Sequence, residues 1–146
     1  MTEVDLLDRS PFRWIDIFGT GKCVTATGFN GFAMVVDLDD LSCGLVKRSG
    51  GSIRMISIGT RKQAIASADD FLREIEDSDS AKKGRRWLNE RISDRQRDML
   101  SRNGVMVSGF DFSWTKYKAA CYLNYLWNKV RVDDMISNVR EKHEKR

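Results

Sequence analysis

The sequence predicts an α+β protein in which an N-terminal antiparallel sheet is followed by helices. Short runs of β-branched and aromatic residues alternate with glycines between residues 12 and 58, as in strands joined by hairpins. From residue 60 onward, apolar residues recur at the three- and four-residue spacing of amphipathic helices. The charge changes along with this pattern: residues 1–80 have a net charge of −4, and residues 81–146 have a net charge of +8.

Five strands are expected in the N-terminal half, and glycine-rich turns separate them. The run Ser-Gly-Gly-Ser at residues 49–52 is a strong hairpin signal, and Gly-Phe-Asn-Gly at residues 28–31 also predicts a turn. The expected strands cover residues 12–17, 22–27, 32–38, 44–47 and 53–58.

Capping signals indicate where two of the helices begin. Thr60 and Gln63 form a capping-box pattern, and the helical spacing that follows continues to about residue 76. Ser93 is a suitable N-cap for a later helix, which Gly104 would end in the left-handed conformation that glycine tolerates.

The remaining helices are expected in the basic half of the chain. A basic helix is predicted over residues 82–91, and Thr115 can cap a long helix that ends near residue 129. Asp133 or Asp134 can cap a final helix, and residues 140–146 form a charged tail that we expect to fray. The sequence therefore predicts a module of sheet plus helix at 12–76 and a basic helical module at 81–139.

The composition favours a cytoplasmic protein without a membrane segment or cofactor. The chain starts with acidic residues and no apolar segment follows, unlike a signal peptide. Its longest apolar run, Phe32–Val36, is far shorter than the roughly 20 residues that span a bilayer. Cys23, Cys43 and Cys121 are odd in number and widely spaced, which favours buried, reduced thiols over disulfides or a metal site. We expect no metal and no cofactor.

Further patterns that could support chemistry have simpler structural interpretations. The run Phe-Gly-Thr-Gly-Lys at 18–22 hints at a phosphate loop but lacks the Gly-Lys-Ser/Thr ending on a helix. The only histidine, His143, falls in the charged tail, so a Ser-His or Cys-His couple is not expected. Four aspartates could hold a divalent metal, although aspartate is common at strand ends. These aspartates are Asp16, Asp37, Asp39 and Asp40. We predict that the protein is not an enzyme.

Two stretches resemble parts of known DNA-associated modules. Residues 53–69 contain Ile-Arg-Met-Ile-Ser-Ile-Gly-Thr and then the pairs Ala64-Ile65 and Ala68-Asp69. This stretch resembles the strand-helix end of DNA-binding modules of the AP2 and integrase arm-binding type. The resemblance implies a twisted sheet that lies against DNA with a helix behind it.

The second stretch is residues 93–119, where capping and packing residues recur in a fixed order. Ser93, Gln96, Leu100 and Gly104 are followed by Thr115-Lys116 and Ala119. The pattern resembles a short helical module appended to phage and plasmid helicases and other DNA-processing proteins. It implies a mobile-element DNA context and brings no catalytic residue.

A cluster of cations is the main candidate for a binding site. Eight Lys and Arg residues lie between residues 82 and 102, against only three acidic residues. Such clusters are often solvated surfaces with neighbouring partners, but a one-signed excess favours contact with nucleic-acid phosphates. The predicted nucleic-acid-binding residues are Lys82, Lys83, Arg85, Arg86, Arg91, Arg95, Arg97, Arg102, Trp114 and Lys116.

Aromatic residues and lysines interleave after residue 113, a pattern that suits stacking on single-stranded nucleic acid. Helical spacing instead favours a buried stripe of Ala120, Leu123, Trp127 and Val130. We expect Trp114 to be exposed, although a hydrophobic staple onto the following helix would also account for an apolar residue at its position.

The leading hypothesis is a small, non-enzymatic DNA-binding accessory protein from a phage or plasmid, which contacts phosphates through its basic half. DNA is a more plausible partner than RNA, and the oligomeric state stays open, a dimer included. The alternative is an inhibitor that blocks a nucleic-acid enzyme, of the anti-CRISPR or host-takeover type. A structural subunit held through the Trp-containing helix is a third possibility. The inhibitor could present acidic residues as phosphate mimics: Asp37, Asp39, Asp40, Asp69, Asp70, Glu74 and Glu76.

Overall fold

A five-stranded antiparallel meander lies at the centre of the fold, in a computed structural model that describes residues 2–76, 86–109 and 111–144. The strands are β1 (Ile15–Asp16), β2 (Cys23–Thr27), β3 (Gly31–Asp37), β4 (Ser42–Arg48) and β5 (Arg54–Gly59). They pair in chain order, which is the simplest arrangement for strands connected by short turns. The predicted α+β class and four of the five predicted strands are confirmed, and the first strand shrinks to two residues.

The helices are α1 (Glu3–Arg9), α2 (Arg61–Ile75), α3 (Asp94–Arg102) and α4 (Lys116–Glu144), with a short 3-10 helix at Arg86–Asn89. Thr60 and Gln63 cap α2 reciprocally, as predicted. Ser93 and Gln96 do the same for α3, and Gly104 follows it with a φ of 82°. Helix α1 was not among the predicted helices, although Thr2 and Asp5 form the same capping box.

One face of the sheet packs against α2, the helix that follows it directly in sequence. The strands contribute Val24, Ala26, Ala33, Val35 and Val46. The side chains on α2 that meet them are two alanines and three larger aliphatic residues. They are Ala64, Ile65, Ala68, Leu72 and Ile75.

The other face of the sheet packs against α4. Cys23, Phe32, Met34, Cys43 and Leu45 form a second buried cluster with residues of this helix, so the sheet lies between two helical layers. The α4 residues in the cluster are Tyr117, Cys121, Val132, Ile136 and Val139. This cluster joins side chains from both halves of the chain. The division into folding modules at 12–76 and 81–139 stays a prediction.

Helix α4 corrects the prediction of two helices and a frayed tail. It runs for 29 residues without a break. Its sheet-facing stripe runs from Val132 past Asp133 and Asp134 to Ile136 and Val139, so packing on the sheet favours an uninterrupted helix. Near the helix end, His143 Nε2 lies 2.5 Å from Asp40 Oδ2 in the β3–β4 turn. None of the helices in the described ranges is long and apolar enough to cross a membrane.

Tyr117 attaches the first turns of α4 to the sheet. Its side chain is 1% exposed, its hydroxyl oxygen accepts the N–H of Thr27 at 2.9 Å, and its O–H donates to the carbonyl of Arg13. Two turns later, the Asn124 amide donates to the Thr27 hydroxyl at 3.2 Å. The end of β2 is therefore hydrogen-bonded to α4 at two positions that lie two turns apart.

We expect Tyr117→Phe to lower the free energy of unfolding by about 1–3 kcal/mol, because it leaves the Thr27 N–H and the Arg13 carbonyl without a partner in a buried place. Urea unfolding measures the change. Tyr125→Phe is the matched control, because no hydrogen bond from the Tyr125 hydroxyl exists among the described residues. Equal stability of the Tyr117 variant and wild type would show that these two bonds do not hold the helix.

The three cysteines are buried and form no disulfide, as predicted. Burial raises the pKa of the Cys23 thiol to about 12, and nearby Asp16 and Asp37 add to the shift. Burial likewise raises the pKa of the Cys121 thiol to about 12. All three thiols are thus kept in the protonated, unreactive form that a buried structural cysteine has.

We expect the protein to lose stability as the pH rises from about 9 to about 12. Over this range the unfolded chain releases the thiol protons while the folded chain keeps them, which lowers the free energy of unfolding by about 1 kcal/mol per thiol near pH 10. Urea unfolding at about pH 8 and about pH 10 tests this, with Cys23→Ala for comparison. An alkaline loss of stability as large in the variant as in wild type would contradict the role of Cys23.

Candidate nucleic-acid interface

The structure describes some of the predicted basic residues and leaves out others. Lys82, Lys83 and Arg85 lie outside the described residues. Arg86 begins the 3-10 helix, and its side chain is also outside the description. The other predicted cations lie on or beside α3 and at the start of α4, where their environments can be compared.

Helix α3 exposes two cations on the same side. Arg95 and Arg102 are exposed and seven residues apart, which places them two turns apart on one helix face. Neither side chain forms an ion pair or hydrogen bond within the described part of the chain. Asp98 lies between them and is also exposed, so the face is not uniformly positive. Arg97 differs, because it is half-buried and its Nε is buried without a hydrogen-bond partner among the described residues.

Arg91 and Lys116 are exposed or half-exposed cations with partners inside the protein. The Arg91 guanidinium donates to the carbonyl of Gly109 at 2.5 Å and lies 4.7 Å from the centre of the Phe112 ring. Lys116 forms an ion pair with Glu90 at 3.1 Å. These contacts hold the loop that joins α3 to α4, so contact with phosphate would compete with them.

Trp114 is 8% exposed, which shows that the prediction of an exposed indole is wrong. The loop before α4 folds back, and Ile92 N–H donates to the Trp114 carbonyl at 3.3 Å. The indole packs in the same cluster as Leu100 and Ala119, which fits the hydrophobic-staple alternative. The Lys118 ammonium lies 4.3 Å from the ring centre, in a cation–π contact.

The predicted buried stripe of Ala120, Leu123, Trp127 and Val130 is wrong for its last two members. Leu123 is buried between α3 and α4, but Trp127 is 61% exposed and Val130 is 75% exposed. Helix α3 ends at Arg102 and covers only the first turns of α4, so nothing in the described structure covers this side of α4 farther along. Helical spacing predicted which residues share this side of α4. It could not predict where α3, the helix that covers this side, ends.

Several acidic residues of the N-terminal half already have partners. Asp37 forms an ion pair with Arg61. Asp69 is buried, accepts a hydrogen bond from Ser10 at 2.5 Å and pairs with Arg73 at 2.8 Å. These contacts use carboxylates that the phosphate-mimic hypothesis requires.

Asp16 occupies the place that a phosphate would take in a phosphate loop at residues 18–22. Its carboxylate accepts the N–H of Gly19 at 3.0 Å and the N–H of Gly21 at 2.6 Å. The backbone donors that a phosphate would need are therefore occupied by a carboxylate of the same chain. Among the described residues, no three His, Cys, Asp or Glu side chains converge as metal ligands would.

In a comparison with protein families, one family model matches the whole chain. The family model described as "Mitochondrial helicase Irc3, C-terminal domain" matches residues 1–146. Searches of curated proteins and of solved structures gave no match. The helicase link predicted from residues 93–119 is confirmed in this general form, and no comparison supports the AP2 and integrase resemblance of residues 53–69.

The same finding corrects one prediction and identifies the family. The description names a mitochondrial helicase, so the cytoplasmic location predicted from the composition is wrong. A helicase-associated domain has a role related to nucleic acid. Because the match extends over the full sequence, the chain belongs to the family of the C-terminal domain of the mitochondrial helicase Irc3.

Proposed function

We propose that this chain is a non-catalytic DNA-binding domain that contacts phosphates through the cations of α3. Family membership supports a nucleic-acid role, and the exposed side of α3 supports the location. The observation that carries the proposal is the pair Arg95 and Arg102, which are exposed on one helix face without partners in the described structure.

The surroundings of α3 suit a positioning role. Capping at Ser93 and burial of Leu100 against α4 hold the helix in place. Arg95 and Arg102 lie about 10 Å apart along the helix axis, so the two side chains can reach different phosphates of a DNA strand. Cations spaced in this way contact the backbone and orient a domain on DNA without reading its sequence.

Other predicted residues fit the proposal to different degrees. Arg91 and Lys116 border α3 but would have to leave Gly109 and Glu90, so we assign them a secondary role. Lys82, Lys83, Arg85 and Arg86 precede α3 in the chain, and they stay candidate phosphate contacts on the basis of their charge alone.

The inhibitor alternative has less support from the observed geometry, because Asp37 and Asp69 serve internal ion pairs and Glu76 is buried. A phage or plasmid origin is a further prediction that the family description does not support. A helicase as partner, in place of or together with DNA, is compatible with the family.

We expect Arg95→Gln combined with Arg102→Gln to weaken binding to all duplex DNA sequences alike. Loss of two phosphate contacts should reduce the slope of log affinity against log salt by about two. Fluorescence anisotropy with labelled duplex DNA at about 50 and about 200 mM salt measures both effects.

The charge-matched control is Arg9→Gln combined with Lys62→Gln, two exposed cations on the α1 and α2 side of the sheet. This control should keep the affinity and the salt slope of wild type. Equal losses in both double variants would mean that only net charge matters. Unchanged binding in the α3 variant would remove α3 from the interface.

A further inference from the structure

An open cleft of about 130 Å³ lies between the β2–β3 turn, the end of β4 and α4. Lys47, Ser49 and Asn124 line it together with two phenylalanines, and none of the described residues that line it is acidic. Its lining consists of Gly28, Phe29, Gly31, Phe32, Lys47, Ser49 and Asn124. We refer to it as the hairpin cleft.

The walls of the hairpin cleft are fixed by close backbone contacts. A Cβ on Gly31 would lie 2.2 Å from the Lys47 carbonyl oxygen, so this position requires glycine. Asn124 is held by its bond to Thr27. On the far side of the turn, the Glu76 carboxylate accepts the Asn30 N–H at 2.7 Å. The cleft is thus preformed, as binding sites for small groups usually are.

Lys47 is half-buried, and its side chain forms no ion pair or hydrogen bond within the described part of the chain. A cation withdrawn from water is favoured by an anionic partner, because the partner compensates for lost hydration. The side chains that line the cleft do not supply such an anion. A phosphate or another external anion would complete the site.

Trp127 extends this surface along α4. It follows Asn124 by three residues, so the two side chains are neighbours on the helix surface. The indole is 61% exposed, and no ring or cation of a described residue stacks on it. Arg131, one turn farther along, is exposed and also without a partner among the described residues. An aromatic face bordered by cations is the combination that binds unpaired bases.

We propose that the hairpin cleft and Trp127 bind unpaired nucleotides of single-stranded DNA. A base stacks on the Trp127 indole, and the adjoining phosphate meets Lys47. This inference rests on the proposed DNA-binding function but assigns a second surface, separate from the cations of α3. The polar, cationic lining favours DNA over an apolar protein partner at this place.

The test measures anisotropy of a fluorescein-labelled dT12 strand with wild type and three variants of the full chain. Trp127→Leu should weaken binding about fivefold or more, because stacking is lost. Trp127→Phe should retain most of the affinity, because it keeps an aromatic face. Val130→Ala is the matched control: it removes neighbouring exposed apolar surface and should leave binding unchanged.

The outcomes distinguish base stacking from general apolar contact. Unchanged dT12 affinity in Trp127→Leu would overturn the inference. Equal weakening by Trp127→Leu and Val130→Ala would also overturn it, since apolar contact of the kind found in protein docking would then account for both losses. If Trp127→Leu does not fold, the test of stacking on Trp127 is the quenching of tryptophan fluorescence by unlabelled dT12. We expect quenching in wild type and much less in Trp127→Phe, and equal quenching would contradict stacking on Trp127.

The same experiment separates this inference from the proposed function. Trp127→Leu should keep duplex binding, which depends on Arg95 and Arg102. Duplex binding without any dT12 binding would overturn the single-strand site alone. Absence of binding to both probes would overturn the proposed function as well.

Discussion

The central sheet is apolar on both faces, and this constraint determines most of the remaining structure. Met34 and Val35 are neighbours on β3, so their side chains point to opposite faces, yet both are completely buried. A sheet of this kind must be covered by a layer on each side. Helix α2 follows the last strand and covers one face with aliphatic residues. The second face is covered by α4, which comes from the far end of the chain.

The position of α4 in turn determines where the exposed groups lie. The first turns of α4 pack against both the sheet and α3, because Tyr117 and Cys121 face the sheet while Ala119 and Leu123 face α3. Beyond these turns the described residues cover only the sheet side of α4. The arrangement leaves Trp127 in solvent, and it places Arg95 and Arg102 of α3 on the protein surface.

The charge of the basic half is not all available to a ligand. Arg91 and Lys116 stabilise the loop before α4, and Arg97 is half-buried. Arg95 and Arg102 keep their charges free of internal partners within the described ranges, as does Lys47 in the acidic half. The cations that can contact a ligand are therefore those without partners among the described residues. The net charge along the chain indicates their location only in part.

Local signals in the sequence determined the strands, their turns, the caps of α2 and α3 and the burial of the cysteines. Each of these depends on a few neighbouring residues: glycines at turns, Thr or Ser three residues before Gln, and the periodic spacing of apolar side chains. The sequence also indicated the basic region around α3. By contrast, the length of α4 depends on contacts with strands about a hundred residues away, which local capping signals at Asp133 could not reveal. The burial of Trp114 and the exposure of Trp127 likewise depend on where α3 begins and ends against α4. The tertiary structure decided these features, because burial is set by which elements meet in space and periodic spacing defines only the faces that could meet.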